Sequence, residues 1–405
     1  MWIYLIIFCI PVVCFFGNKN TINRSTHFLF LYLLFLALFV GFSDMLGGYD
    51  RYIYGEVFDT IADVTTARRS YLDNNVFLFF PSEPGYIILN ILLSYITENR
   101  YIFIFIYTLI IYTLLFISLK RYAHNYPLAL AIFLGLWFFF TFTYLRQVLG
   151  ATIVWLGIVY VIERKFWKFL LVFLIAWSIH KSAIIFFPIY FIPIKKYPAR
   201  IVLLVMAIAL LIGLSPIPNA LFNAYGDSSI VEQQDDYSSS GSIRIAYLFE
   251  AFVFLYIILS QYKAIRKEKS EIVLLNIALI FCAILLIFAR SENGGRLSWY
   301  YIIGLILTLS NIGSRYRKKS MLSFGLIFLS LFLYVRIYTS WQSFYYLYPY
   351  KTFFTNGYRK MDTVHDIYEY DEKYDVEKLY RQPIRWSVIL KNNKSHAYYC
   401  FYTYI

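Results

Sequence analysis

The chain has 405 residues, of which 60% are hydrophobic and only 15% charged, and its formal net charge is +13. Average soluble domains are about 25% charged, and apolar runs of roughly 14–20 residues recur here from end to end, which excludes a soluble body and a soluble body with one anchor. The cations form short clusters between the apolar runs, not a basic domain, so a nucleic-acid partner is not expected.

In chain order the apolar runs predict spans at 1–16, 27–46, 84–97, 101–119, 127–143, 146–162, 167–180, 183–194, 201–214, 244–260, 271–289, 297–313 and 320–339. The stretch Met1–Phe16 has no basic n-region and no small-residue cleavage signal, and reads as a retained first span. The run at 84–97 is weak and opens Glu83-Pro84-Gly85, which suggests a short re-entrant or interfacial helix. The expected fold class is an all-α polytopic membrane protein with about 12 transmembrane helices plus that short helix. Residues 1–350 form this domain, and 351–405 are a polar, tyrosine-rich tail, either a small docked unit or partly disordered.

Basic turns at Lys120-Arg121, Arg164-Lys165-Lys168, Lys195-Lys196-Arg200, Lys263-Arg266-Lys267-Lys269 and Arg315-Arg317-Lys318-Lys319 alternate with the other turns from Pro127 onward, which places them in the cytoplasm. The segments 144–147, 180–182, 215–243, 290–296 and the chain beyond Thr339 are then external. The polar loop 215–243 is too long for a tight turn and reads as a mobile flap. For 47–82 two placements remain: an external loop, with 84–97 not crossing, or a cytoplasmic loop, with every span crossing. The external placement is adopted.

The centre of the chain is 140–193, two apolar spans around Glu163-Arg164-Lys165. Arg146 lies 17 residues before that turn and His180 15 residues after it. At ~1.5 Å per helical residue both lie roughly 22–26 Å from the turn, so a cation and an imidazole share one depth on the opposite face. That face also receives Lys181, Arg244, Arg290, Arg296, Arg336 and Lys351, although cations are depleted from the external side. Arginine suits phosphate through its fixed fork of donors, so the set points to an anion site, most naturally for a diphosphate; lipid snorkelling is the alternative for any single member. Acids near that face are Asp44, Asp50, Glu83, Asp227, Asp235, Asp236 and Glu292. Glycosyl transfer needs a base near the acceptor hydroxyl, which a carboxylate or His180 can supply. Glu83 could equally cap the helix after Pro84. The cysteines (Cys9, Cys14, Cys282, Cys400) have neither metal nor disulfide spacing, and no metal or cofactor is expected.

The segments Gly-Phe-Ser-Asp and Tyr-Asp-Arg-Tyr (41–52), Glu-Pro-Gly-Tyr (83–86), Leu-Arg-Gln-Val-Leu-Gly (145–150), Ile-His-Lys-Ser-Ala (179–183), Gly-Arg-Leu-Ser-Trp-Tyr (295–300) and Tyr-Pro-Tyr-Lys (348–351) occur in an order that resembles the EpsG family of bacterial polysaccharide polymerases. That family is related to the Wzy-type O-antigen polymerases. The resemblance runs from about residue 30 to 351. Its usual Gly-x-Asp leaves Asp44 and Asp50 as alternatives for the matching acid.

The resemblance implies a multi-pass enzyme of the bacterial inner membrane with a fold like the C-type glycosyltransferases. It would transfer a growing glycan from undecaprenyl diphosphate to the next lipid-linked unit at the periplasmic face. On this reading Arg146, Gln147, Arg244, Arg290, Arg296 and Lys351 bind diphosphate, and His180, Asp44, Asp50 and Glu83 are the catalytic candidates. The expected partners are the undecaprenyl-diphosphate-linked oligosaccharide and membrane lipid, with a chain-length regulator as a further candidate. A flippase is the rival from another class. It should carry charges deep in mid-span along a central path, whereas the ionisable groups here fall at span ends. An O-antigen ligase differs only in its acceptor.

Overall fold

The computed structural model describes residues 1–17, 20–45, 48–218, 243–291, 294–316, 320–342, 347–355 and 376–385. The acids Asp227, Asp235, Asp236 and Glu292 and most of the 215–243 loop lie outside them. The described chain is all-helical apart from an isolated bridge between Ser43 and Thr352.

Helices α1 (Trp2–Phe16), α2 (Thr26–Gly41), α3 (Tyr49–Thr66), α4 (Pro84–Ser94) and α5 (Arg100–Tyr122) make up the first third. The next are α6 (Tyr126–Leu136), α7 (Leu145–Leu156), α8 (Ile158–Ile162) and α9 (Phe166–Ile179). Helices α10 (Ala199–Leu214), α11 (Ile245–Ser260), α12 (Lys269–Ile287), α13 (Gly294–Ser298), α14 (Ile302–Gly313) and α15 (Met321–Gln342) complete the bundle. Four stretches are long and apolar enough to cross a membrane, Arg100–Tyr122, Leu145–Ile162, Lys269–Ile287 and Met321–Trp341, and shorter apolar helices accompany them. This is the architecture of a polytopic membrane protein: α2 packs on α5, α6 on α15, α7 on α9, and α12 on both α10 and α14.

Local chemistry sets the helix starts. Ser25 accepts the Phe28 N–H ahead of α2, Asn99 Oδ1 that of Tyr101 ahead of α5, and Asn125 Oδ1 that of Leu128 ahead of α6. Pro84 and Pro127 occupy first-turn positions, where no N–H is needed. At 11 residues α4 is about 16 Å long, roughly half a hydrocarbon core, as expected of a helix that does not cross alone.

Three expectations need correction. The segment 47–82 is not simply a loop, because it contains the 18-residue α3. Its buried residues Tyr54, Phe58, Ile61, Ala62 and Thr65 recur at helical spacing, an amphipathic stripe too polar overall to register as a span. The span predicted at 183–194 is a 3₁₀ helix over Lys181–Phe191 with Pro188 inside it. The run 127–143 is broken at Trp137, after which Phe138–Phe142 continues as a 3₁₀ turn. Part of the tail is docked: Arg381 pairs with Asp63, Arg385 with Glu98, and the Asn99 side chain donates to the carbonyls of Lys378 and Arg381.

Candidate active site

One end of the bundle gathers the turn after α2, the start of α3, the residue before α4, the start of α7, the turn after α9, and α13. Glu83, only 3% exposed, is the hub. It stands at the N-cap of α4, but its carboxylate does not cap that helix. Instead it accepts from the Arg146 guanidinium, lies 2.8 Å from Nδ1 of His180, and accepts the Lys181 N–H at 3.1 Å. Close helix approach makes this possible. A Cβ on Gly85 would lie 2.2 Å from Ser178 Oγ, so only glycine lets α4 seat on α9 and deliver Glu83 to His180.

Arg146 opens α7 and is held by aromatic rings as well as by charge. Its guanidinium lies 3.8 Å from the centroid of Phe80, 5.4 Å from Tyr54 and 5.5 Å from Tyr86. The next residue, Gln147, donates from Nε2 to the Arg296 carbonyl at 2.8 Å, fixing α13 to α7. Arg296 is exposed, with its guanidinium 4.2 Å from the Tyr144 ring centroid. Thr143 Oγ1 accepts the Asp50 N–H at 3.0 Å and so anchors the start of α3.

Asp50 is the less committed acid. Its carboxylate accepts from the Tyr54 hydroxyl at 3.3 Å and lies in the fields of Arg296, Arg146 and His180. Asp50, Glu83 and His180 lie outside the long apolar spans, in turns or in the polar helix α3, and Arg146 stands in the first turn of the span Leu145–Ile162. Burial lifts the Asp50 carboxyl above its ordinary range, against the pull of Arg296 and Arg146. For Glu83, burial also acts upward, but the His180 contact, Arg146 and the Lys181 N–H outweigh it and bring the carboxyl down to about 2. Burial pushes the His180 imidazole below its ordinary value, with Glu83 opposing. At neutral pH the group is therefore an ionised Glu83 facing a neutral imidazole, which can take up a proton.

The structure thus brings Asp50, Glu83, Arg146, Gln147, His180 and Arg296 together. Asp44 is elsewhere on the same end. It is 1% exposed, its N–H donates to the Lys351 carbonyl at 3.0 Å, and the fully buried Arg51 is its nearby charge. Arg51 donates to the carbonyls of Val40 and Ser43 at 3.0 and 3.1 Å, so this cluster ties α2 to α3 and to the 350–352 segment. Arg290 is exposed in the turn after α12, and Arg244 is exposed at the start of α11 with its N–H on the Ala289 carbonyl. The sequence reading missed Tyr54, Phe80 and Thr143, whose roles depend on helix placement, and Glu250, which pairs with Arg336. A lone acid inside the apolar run 244–260 was the available signal for the last.

No curated protein and no solved structure matches the chain. A family model does match, over residues 26–352, and that range includes every residue of the cluster. The chain belongs to the EpsG family.

Proposed function

We propose that this protein polymerises lipid-linked polysaccharide repeat units, transferring the growing glycan from undecaprenyl diphosphate to the next lipid-linked unit at the periplasmic face of the bacterial inner membrane. Membership of the EpsG family suggests an exopolysaccharide or O-antigen polymerase-type function. The observation that carries the chemistry is the 2.8 Å contact between Glu83 and Nδ1 of His180.

In this reading Glu83 is a positioning residue, because its oxygens already serve Arg146, His180 and the Lys181 N–H. It holds the imidazole so that Nε2 can accept the proton of the acceptor hydroxyl. The acceptor oxygen bonds to the anomeric carbon, the bond from that carbon to the diphosphate oxygen breaks, and the lipid diphosphate leaves with the electron pair. Arg296 stabilises the developing negative charge through fixed donors. Asp50, beside Arg296 and Arg146, receives sugar hydroxyls.

The ion pairs of the described residues support an enzyme over a flippase. They lie at the two ends of the bundle, and the Glu250–Arg336 pair is about one to two helical turns from the Glu83 end, so no charged path runs through the middle. The test is the glycan profile of a cell lacking this protein. One repeat unit per lipid core is the expected result. Cores bearing no repeat unit would point to a flippase or a ligase and overturn the reading.

A further inference from the structure

Away from the Glu83 end, a groove of about 480 Å³ opens between the 191–197 segment, α10 and α12. Ile201, Val205 and Met206 of α10 and Asn276, Ile280 and Ala283 of α12 form two of its walls. The third wall is pinned from several sides. Arg164 donates to the carbonyls of Tyr190 and Ile192, Asn276 Nδ2 to that of Pro193 at 3.3 Å, and Lys196 Nζ to those of Tyr262 and Ile265 at 2.6 and 2.7 Å. The groove is therefore built into the fold, and its volume is in the range of small-ligand sites, about 300–1,000 Å³. Phe191, Ile201 and Val205 are exposed along it, so it opens sideways, where a polytopic bundle meets lipid.

One rim of this apolar groove is cationic. Lys195 and Lys196 stand on the 191–197 wall. Lys269 heads α12, and positions 269, 276, 280 and 283 share one face of that helix. Lys267 is close enough to act on Lys196. The neighbouring acids are already matched: Glu268 accepts from Arg266 at 3.5 Å, and Glu271 pairs with Arg315. Among the described residues none of the four lysines pairs with a carboxylate. Other basic turns differ. Lys165 pairs with Glu163 at 2.8 Å, and Arg121 shares its concavity with Glu163 and Glu271. Uncompensated lysines at the rim of an apolar groove suit an amphiphile with a hydrocarbon chain and an anionic head. The alternation of basic turns puts this rim on the cytoplasmic side, where the leaflet carries anionic lipid.

We propose that this groove binds an anionic phospholipid of the cytoplasmic leaflet, with an acyl chain between α10 and α12 and the headgroup phosphate among Lys195, Lys267 and Lys269. The ammonium of Lys196, already engaged by two carbonyls, adds its charge to the rim. Lysine suits the task, because a compact ammonium on a flexible stem meets a mobile headgroup as a point charge. The lipid takes no part in glycan transfer, so the site stands independently of the polymerase reading.

The test measures equilibrium binding to the delipidated full chain by native mass spectrometry with three probes: phosphatidylglycerol, phosphatidylcholine with the same acyl chains, and undecaprenyl phosphate. Phosphatidylglycerol should bind at least about tenfold more tightly than phosphatidylcholine. Lys195→Gln combined with Lys269→Gln should shrink that preference to within about twofold, while Lys120→Gln, at the end of α5, should leave it unchanged. Val205→Trp, which fills the groove, should abolish tight binding of phosphatidylglycerol. Lys195, Lys269 and Val205 are exposed, so these variants should fold. Equal binding of the two phospholipids, or a preference lost as fully in Lys120→Gln as in the rim variant, would overturn the site. Undecaprenyl phosphate displacing phosphatidylglycerol at equal affinity would give the groove to a polyprenyl chain and overturn it as well. So would a dimer that Val205→Trp dissociates with lipid binding intact, which would give this face to a second copy of the chain.

Discussion

The two ends of the bundle carry the same three residue types. At one end Glu83 meets Arg146 and His180; at the other Glu271 meets Arg315 and His124. The difference lies in what surrounds each trio. Both carboxylate oxygens of Glu271 accept from Arg315, and one of them also accepts the Arg266 N–H. Arg315 also donates to the Ala264 carbonyl. His124 stands 4.0 Å from Glu271, its backbone N–H is held by Asn311 at 2.9 Å, and Asn311 donates back to the Tyr122 carbonyl. Every contact there fastens one helix end to another. At the Glu83 end the imidazole contact is 2.8 Å, and Asp50 and Arg296 stand beside it. A Glu–Arg–His trio is therefore a lock in one setting and a candidate reaction centre in the other. Less committed neighbours make the difference.

The largest expected loss comes from His180→Gln, which removes the proposed base: about 10²–10⁴ in polymerisation rate, measured with lipid-linked repeat units in liposomes. The pH profile sharpens the assignment. The neutral imidazole is the useful form, so activity falls as pH drops through its titration. Burial moves that fall below the ordinary 6.5. The acid limb should vanish in the Gln variant. If the two profiles superimpose, His180 leaves the mechanism and Asp50 becomes the base. A reversed trend, with activity rising on acidification, would make His180 a cationic phosphate contact. His124→Gln at the other end should leave the limb in place.

Arg296→Lys comes next, with a loss of about 10²–10³ in rate at unchanged abundance. Lysine keeps the charge and loses the fork, which a diphosphate contact should register. Arg146→Lys is a less clean probe of phosphate binding, because it also disturbs Glu83 and the contacts with Phe80, Tyr54 and Tyr86. Full-length polymer at normal rate from Arg296→Lys would remove Arg296 from the clamp.

The sequence made the bundle legible through its apolar runs, and it made the shared depth of Arg146 and His180 legible through helical rise. Glu83 was visible as an acid before Pro84, but its role as hub was not. That role depends on Gly85 letting α4 approach α9, a contact between segments almost a hundred residues apart. The helix α3 escaped because its apolar residues form a stripe, not a run, and with it went the anchoring of Asp50 by Thr143. Asp44 and Asp50 were indistinguishable as two acids after one span; only packing sets Asp44 beside buried Arg51 and Asp50 beside Arg296.

The contrast between the two ends is tested most directly by one matched pair of variants, Glu83→Gln and Glu271→Gln, each purified and assayed for polymer per folded molecule alongside its thermal stability. Either change leaves a partly exposed arginine, 20% for Arg146 and 16% for Arg315, without its carboxylate, a loss smaller than the about 3–5 kcal/mol of a fully buried pair. The account predicts that Glu271→Gln lowers stability while the folded fraction still polymerises at close to the wild-type rate, and that folded Glu83→Gln forms almost no polymer. Polymer at the wild-type rate from folded Glu83→Gln, or loss of activity confined to Glu271→Gln, would contradict it and move the reaction centre away from Glu83.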